Sequence, residues 1–298
     1  MSQSILIGTA GWAYKDWEGI FYPAGLKRSQ HPAEYVARYF DVIEINTSFY
    51  GPVKPELAKL WCHKVAGVNR DFKFTTKLYK AFTHAPGAAV QPTSAATLSP
   101  TDEDERAVKE GVNVLASEGR LGALLMQFPI SFKNTDENRD YLVQLLERFR
   151  EYPLVVEVRH ASWNHEGILR YFAEKGVSFC NIDQPILGKS LKPTEHATSA
   201  VGYVRLHGRN YDQWFEHEHP HDRYNYLYTM DELARWKTRV ENIARKTEVT
   251  YVIANNHYEA RAAVNGLQLK HLLTRGKVKA PAALMQHYPE LREIAEAQ

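Results

Sequence analysis

Eight short apolar runs recur along the chain, and most of the segments between them are long enough to form a helix. The runs lack strict apolar–polar alternation, which is typical of strands that are buried on both faces. The predicted strands are Ile5–Ala10, Val42–Asn46, Phe72–Thr76, Gly122–Phe128, Pro153–Val158, Val177–Ile182, Val201–His207 and Val249–Asn255. Eight such units in roughly 250 residues predict an α/β protein with a closed (β/α)8 barrel of the TIM type.

A doubly wound open sheet is the alternative fold. That fold normally carries a glycine-rich phosphate turn after its first strand, and Gly8-Thr9-Ala10-Gly11 does not have the required spacing. The predicted helices are His31–Phe40, Pro55–Val65, a helix capped by Thr101, Thr135–Arg150, His165–Lys175, Met230–Lys246, Glu259–Thr274 and a short tail, Pro289–Ala297.

Three connections depart from the regular pattern. Leu78–Pro100 and Gly208–Thr229 are long for loops that follow barrel strands, and long loops are often functional. Gln184–Ser199 is too irregular for a full helix, so we expect a degraded sixth crossover. No linker or repeat interrupts the pattern, which predicts one domain over residues 1–298.

The composition is that of an ordinary globular protein, with 44% hydrophobic and 24% charged residues. A net charge of +2 argues against a general nucleic-acid coat but leaves room for a local basic cleft. Cys62 and Cys180 lie in apolar runs and are interpreted as core residues in a reducing compartment. We expect a cytoplasmic protein, because the sequence has no signal-peptide pattern and no run approaching about 18 apolar residues.

Polar residues gather at the carboxyl ends of the predicted strands, where barrel enzymes form their active sites. Alternation in Val201–Asn210 puts Tyr203, Arg205 and His207 on one face of the seventh strand. A buried arginine needs partners, and Glu44 and Glu157 are the expected ones. The catalytic candidates are Glu44, Glu157, His207 and Asp183. The ligand-binding candidates are Trp12, Tyr14, Asn46, Tyr50, Lys77, Gln127, Arg159, Trp163, Arg205, Gly208, Arg209, Tyr211, Asn255 and Asn256.

This residue set predicts recognition of an anion. Lys77, Arg159 and Arg205 could hold a phosphate or carboxylate, and the seventh and eighth loops of a barrel are the usual phosphate cradle. The alternative is an ion-paired layer that only closes the upper core, with Arg205 serving as a structural partner. Loop aromatics at the rim are expected to stack on sugars or bases, or else to pack within the loops: Tyr14, Trp17, Tyr50, Trp163, Tyr211 and Trp214.

The sequence predicts no cofactor, and it leaves a divalent metal open. His217, His219 and His221 lie close together, but a proline interrupts their spacing, so a solvated loop is the favoured interpretation. No zinc-protease, nucleophile-elbow or phosphate-loop motif is present.

Several longer motifs carry a family resemblance: Gly8-Thr9-Ala10-Gly11-Trp12-Ala13-Tyr14, Glu44-Ile45-Asn46-Thr47-Ser48-Phe49-Tyr50, Gln127-Phe128-Pro129, Glu157-Val158-Arg159-His160, Arg205-Leu206-His207-Gly208-Arg209, Tyr224-Asn225-Tyr226-Leu227-Tyr228 and Asn255-Asn256. Together they resemble the YecE-like family, domain of unknown function 72, over nearly the whole chain. The resemblance implies a TIM-type barrel and does not name a reaction. The barrel is distantly similar to endonuclease IV and sugar isomerases, yet this chain lacks their many metal ligands at the strand ends.

Three functions remain open at this stage. The favoured one is an enzyme that acts on a small anionic, sugar-containing molecule, as a hydrolase, lyase or isomerase with carboxylate or histidine acid–base catalysis. The second is a nucleic-acid-binding protein or phosphodiesterase. The third is a non-catalytic barrel that binds a metabolite. No membrane partner is expected, and the oligomeric state is left undetermined.

Overall fold

A computed structural model describes residues 4–26, 30–84, 100–212, 214 and 222–298. Eight parallel strands form a closed barrel in sequence order, and β1 pairs with both β2 and β8. The strands are β1 Ser4–Ala10, β2 Val42–Ile45, β3 Lys73–Lys77, β4 Leu121–Gln127, β5 Leu154–Glu157, β6 Ser178–Asp183, β7 Val201–Leu206 and β8 Val249–Ala254. The predicted TIM-type barrel is confirmed.

Helices surround the barrel and cover its outer face. They are α1 Pro32–Val36, α2 Pro55–Ala66, α3 Lys80–Thr83, α4 Asp102–Ser117, α5 Asp136–Arg148, α6 Glu166–Lys175, α7 Met230–Ala244, α8 Arg261–Thr274 and α9 Ala282–His287. The predicted cap of α4 is present: the Thr101 hydroxyl accepts a hydrogen bond from the Asp104 amide, and the Asp104 carboxylate accepts one from the Thr101 amide.

The connection between β6 and β7 has no helix, as the sequence predicts. The buried side chain of Asn181 holds this segment in place. Its Oδ1 atom accepts hydrogen bonds from the Thr194 hydroxyl at 2.8 Å and the His196 amide at 2.7 Å. A buried side chain thereby supplies hydrogen bonds that a helical ladder would otherwise provide.

The predicted helical tail over Pro289–Ala297 is wrong in its second half. Pro289–Glu293 forms a 3-10 helix, and Ala295–Ala297 is a strand, β10, that pairs with β9, Val278–Ala280. A distant strand supplies the hydrogen bonds for β10, so the local pattern does not reveal it.

Gly8 of β1 pairs with Val42 of β2. A Cβ atom at this position would lie 1.7 Å from the Val42 carbonyl oxygen. Gly8→Ala must therefore push two barrel strands apart, and we expect a loss of unfolding free energy at or above the roughly 1–3 kcal/mol of ordinary overpacking. Urea denaturation measures this. Gly51→Ala is the control, because a Cβ atom there meets nothing within 4 Å. Equal midpoints for the two variants would contradict this packing.

Candidate functional site

Arg205 lies at the centre of a buried ionic cluster inside the upper barrel. Its Nη2 atom donates to Oε1 of Glu44 at 2.6 Å. Its Nη1 atom donates to Oε2 of Glu157 at 2.5 Å and to Oε1 of Gln127 at 3.0 Å. Arg205 and both carboxylate side chains are 0% exposed. The predicted partners of Arg205 are therefore confirmed. We call Arg205, Glu44, Glu157, Gln127 and His207 the Arg205 cluster.

Two buried neutral side chains, Tyr203 and Cys180, pack against the carboxylates of this cluster. The Tyr203 hydroxyl lies 2.9 Å from Oε2 of Glu44 and 2.8 Å from the hydroxyl of Thr75. Cys180 packs with its sulfur 4.0 Å from Glu157, and burial raises the pKa of its thiol well above the ordinary value. Both cysteines are buried, in agreement with their interpretation as core residues.

Glu157 remains a carboxylate despite its burial. Burial alone would raise its pKa, but the guanidinium groups of Arg205 and Arg159 and a hydrogen bond from His207 hold the pKa well below the usual range. Oε1 of Glu157 accepts a hydrogen bond from Nε of Arg159 at 3.2 Å, and it lies 3.1 Å from Nη2 of the same arginine. Glu157 is therefore suited to orienting two arginines, because it is both ionised and covered.

His207 is held as a neutral ring. Its Nδ1 atom accepts a hydrogen bond from Nδ2 of Asn255 at 2.9 Å, which leaves the proton on Nε2, 3.2 Å from Oε1 of Glu157. Burial lowers the pKa of His207 to about 3. The expected acid–base candidates Glu44, Glu157 and His207 therefore lie beneath the mouth as a closed network.

Two adjoining cavities open above this cluster at the carboxyl ends of the strands. The Lys77 cavity has a volume of about 350 Å³ and the Arg159 cavity about 260 Å³. Tyr14, Asn46, Phe49, Tyr50, Lys77, His84, Gln127, Arg223, Tyr224, Asn255 and His257 line the Lys77 cavity. His84, Gln127, Pro129, Ile130, Arg159, Gln184, Ser190, Trp214, Arg223 and Tyr224 line the Arg159 cavity.

The walls of these cavities are cationic. Lys77, Arg159 and Arg223 contribute to them, whereas none of the described lining residues is an aspartate or glutamate. The guanidinium of Arg159 also lies 5.7 Å from the ring centroid of Trp214. Glu157, beside Arg159, and Glu44, beside Lys77, lie below the walls, so the described lining itself carries cations and no carboxylate.

Lys77 ends β3 and reaches into its cavity with 11% of its side chain exposed. Its Nζ atom lies 3.9 Å from Oε1 of Glu44 and 5.5 Å from the centroid of the Phe49 ring. Burial, together with the nearby charge of Arg205, lowers the pKa of this amine to about 7. The amine of Lys77 therefore titrates near neutral pH.

Asp183 and Arg209 belong to a different cluster. Nε of Arg209 lies 2.9 Å from Oδ2 of Asp183, and its Nη1 lies 2.9 Å from Oε1 of Glu232 on α7. Burial raises the pKa of Asp183 in spite of this arginine. The expectation that these two residues share one mouth with Glu157 is corrected: Arg209 is occupied by two carboxylates and lines neither cavity.

The hydrogen-bond donors of the expected phosphate cradle are likewise bonded to other groups of the protein. The Gly208 amide donates to the Tyr228 hydroxyl at 2.8 Å. Nδ2 of Asn256 donates to the carbonyl of Tyr226 and to Oδ1 of Asn265. Gly208 and Asn256 therefore hold the seventh and eighth loops together, and neither lines a cavity.

The predicted aromatic rim divides into wall and core. Tyr14 lines the Lys77 cavity and stacks on His257 with centroids 4.3 Å apart, and Tyr50 lies at its edge with 72% exposure. Trp12 packs on Trp61, and Trp163 stacks on Phe132, outside both cavities.

Trp17 and Tyr211 also lie outside the cavities. Trp17 is buried and donates to the His257 carbonyl at 2.7 Å. The Tyr211 hydroxyl accepts a hydrogen bond from the Ile186 amide at 3.3 Å. Trp17 and Trp163 thus follow the alternative expected for the rim aromatics, because their rings are packed inside the protein. Trp12, a ligand-binding candidate, is buried as well.

The wall residues that were not among the candidates include four with ring or cationic side chains: His84, Arg223, Tyr224 and His257. Each lies in a loop or short helix after a strand, where no periodicity distinguishes a wall residue from an exposed one. Burial lowers the pKa of His84 to about 4, so it is neutral at physiological pH.

The histidines at 217, 219 and 221 lie outside the described residues, as do positions 85–99 of the third loop. Within the described part, no group of three or more histidine, cysteine, aspartate or glutamate side chains could hold a metal ion. No helix in that part is long and apolar enough to cross a membrane.

Comparison with known proteins gives a consistent result. Residues 6–288 match the family described as "Protein of unknown function DUF72". The UPF0759 protein YunF of Bacillus subtilis (strain 168) is 28% identical over 283 residues, which cover 90% of this chain and 94% of YunF. The crystal structure of TM1631, a DUF72 family protein from Thermotoga maritima MSB8, superposes with a TM-score of 0.75 at 31% identity, covering 91% of this chain and 99% of TM1631. EF0366 from Enterococcus faecalis V583 also superposes with a TM-score of 0.75, at 25% identity over 91% of this chain and 95% of that one.

Proposed function

The chain belongs to the DUF72 family, and we propose that it is an enzyme acting on a small anionic, sugar-containing molecule at the carboxyl-terminal mouth of the barrel. One observation carries the proposal: Lys77, Arg159 and Arg223 line two joined cavities whose described walls hold no carboxylate. A phosphate or carboxylate group there gains charge-assisted hydrogen bonds from these wall cations.

Arg159 is the best-placed anion ligand. Nε and Nη2 are fixed by Glu157, so the guanidinium is already oriented when the ligand arrives. Its side chain is 14% exposed at the cavity, in contrast to the covered Arg205. The anion-binding role expected for Arg205 therefore passes to Arg159, with the Arg205 cluster as its support.

The size and lining of the mouth favour a small ligand. The volume of about 350 Å³ lies at the lower end of the usual range for small-molecule sites, and that of about 260 Å³ lies just below it. Tyr14, Tyr50, Tyr224 and Trp214 supply flat faces around the polar groups, a combination that suits a sugar ring beside an anionic group. Reaction chemistry then falls to groups in the wall, of which Lys77 and His84 can change or share a proton.

Arg159→Met tests the anion site. We expect phosphate, sulfate and glucose 6-phosphate to raise the melting temperature of the wild type, with about 2.7 kcal/mol of stabilisation at a hundredfold excess over the dissociation constant. Arg159→Met should lose most of this response, because it removes a wall cation without opening the Arg205–Glu44 pair. A thermal-shift titration measures both proteins.

Arg209→Met is the matched control. It removes an arginine from the same end of the barrel, but one that is bound to Asp183 and Glu232 and lines neither cavity. Its own melting temperature should fall while its response to anions is kept. If Arg159→Met and Arg209→Met respond to the anions alike, the proposed site is incorrect.

The exposed ring of Tyr50 favours a second candidate, a protein that binds single-stranded nucleic acid or cleaves phosphodiesters. The Lys80 ammonium lies 5.5 Å from the centroid of this ring, so a stacked base and its phosphate could be held together. Fluorescence anisotropy with a short labelled oligonucleotide distinguishes the two. Binding that is lost in Tyr50→Ala and kept in Arg159→Met would favour the nucleic-acid function.

A further inference from the structure

We propose that Lys77 is a nucleophile that forms an imine with an aldehyde or ketone group of the bound anion. This inference rests on the proposed function for the anion-binding mouth, and it adds a substrate class, anionic carbonyl compounds. It assigns to Lys77 covalent chemistry in place of simple charge pairing.

The position of the amine is the first reason. Nζ of Lys77 donates no hydrogen bond to any residue that the structure describes, and its nearest carboxylate oxygen, on Glu44, is 3.9 Å away. By contrast, Arg205, Arg159 and Arg209 each hold a carboxylate oxygen at 3.2 Å or less. The Lys77 amine thus points a lone pair or a proton into its cavity without a closer partner among these residues.

The surrounding charges are the second reason. Glu44 approaches from β2, Glu157 and Arg159 from the end of β5, and Arg205 from β7. His84, after α3, and Arg223 and Tyr224, in the seventh loop, face the same cavity. Glu44 and Glu157 attract a proton to Lys77, whereas burial and the two arginines repel it. The net effect lowers the pKa of Lys77 to about 7, so about half of the amines are neutral at pH 7.

The chemical step needs no further reactant. The Nζ lone pair attacks the carbonyl carbon, and the carbonyl oxygen becomes the hydroxyl of a carbinolamine. That hydroxyl leaves as water with the proton from nitrogen, and a C=N bond remains. Uptake of one proton from solvent gives the positively charged iminium ion, for which the Glu44 carboxylate is the nearby counter-ion.

The anion site gives this step its selectivity. Arg159 and Arg223 line the mouth beside Lys77, so a phosphate held by them keeps a carbonyl of the same molecule within the connected cavities.

Trapping with pyridoxal 5′-phosphate tests the inference, since this probe carries both an aldehyde and a phosphate. The whole chain is incubated with a small excess of the probe at pH 7 and at pH 9 and then reduced with borohydride. Peptide mass spectrometry locates the secondary amines. Lys77 should be the main labelled lysine at pH 7.

The pH comparison separates Lys77 from fortuitous labelling. For an amine of pKa about 7 the neutral fraction rises about twofold from pH 7 to pH 9. For a lysine with the ordinary value near 10.4 it rises roughly a hundredfold. A labelling rate at Lys77 that climbs like those of the other lysines would overturn the inference.

Two parallel arms keep the inference distinct from the proposed function. Inorganic phosphate should compete with pyridoxal 5′-phosphate at Lys77, and pyridoxal, which lacks the phosphate, should label it at least tenfold more slowly. If phosphate stabilises the protein in the thermal-shift assay but Lys77 is not labelled, the imine inference fails and the anion site stands. If Lys77 is labelled equally by both probes and phosphate has no effect, the nucleophile stands and the anion site fails.

Lys77→Arg completes the design. It keeps a cation at this position but cannot form an imine, so labelling at position 77 should disappear while labelling of the other lysines is unchanged. The labelled lysines are located in the wild-type protein, so the test remains decisive even if Lys77→Arg folds poorly.

Discussion

Arg205→Met should lower the free energy of unfolding by roughly 3–5 kcal/mol, the usual result of breaking one partner out of a buried ion pair. The arginine holds Glu44 at 2.6 Å and Glu157 at 2.5 Å, and all three side chains are fully covered. Methionine fills much of the volume but leaves two carboxylates without their shared cation. Urea denaturation at pH 7 measures the loss.

The surface pair of Arg170 and Glu166 on α6 provides the control. Its atoms are 2.9 Å apart, but the side chains are 66% and 85% exposed, so Arg170→Met should change stability by no more than about 1 kcal/mol. The response of Arg205→Met to phosphate should survive wherever the variant is folded, because Arg205 lines neither cavity. The opposite pattern, an unchanged melting temperature with no phosphate response, would return Arg205 to the role of anion ligand.

Glu157→Gln should be comparably destabilising at neutral pH, by roughly 3–5 kcal/mol, since Arg205 and Arg159 both lose their common carboxylate. The effect depends on pH in a defined direction. The pKa of Glu157 is held well below its usual range in the folded protein. Its contribution to stability is therefore complete above the unfolded value, near 4.3, and is lost as the pH falls through the lower folded value.

Stability curves from pH 3 to pH 8 give the measurement for Glu157→Gln. The difference between wild type and variant should be constant above about pH 5 and should narrow as the pH falls, since the wild type loses its charge and the variant has none to lose. Glu166→Gln, in the exposed pair, should show almost no difference at any pH. A gap that widens toward acid pH would mean that Glu157 is protonated in the folded protein.

These expectations describe a mouth with two layers. In the lower layer Arg205 is shared by two carboxylates, Glu44 and Glu157, and His207 is uncharged. Arg159 supplies a second cation to Glu157 from the layer above. The upper layer, with Lys77 and Arg159, presents positive charge to the cavities. The alternative of an ion-paired layer that closes the core thus describes the lower layer, and the anion hypothesis applies to the upper one.

The sequence alone determined the fold and the pairing at its polar centre. Strands that are buried on both faces appear in a sequence as apolar runs. Eight such runs at regular spacing predicted the barrel that β1 to β8 form. Strand alternation has a fixed period of two, which put Tyr203, Arg205 and His207 on the inner face and named Glu44 and Glu157 as partners of Arg205. Both inferences rest on local rules that hold wherever a strand forms.

Only the tertiary structure decided which polar groups reach solvent and which partner each one takes. Arg159 and Arg209 both follow strands, yet Arg159 lines a cavity while Arg209 is held by Asp183 and by Glu232 on α7. Trp163 likewise turns away from the mouth to stack on Phe132. Such outcomes depend on the packing of distant loops and helices over the strand ends, and no periodicity within the strand encodes the position of a side chain supplied from elsewhere in the chain.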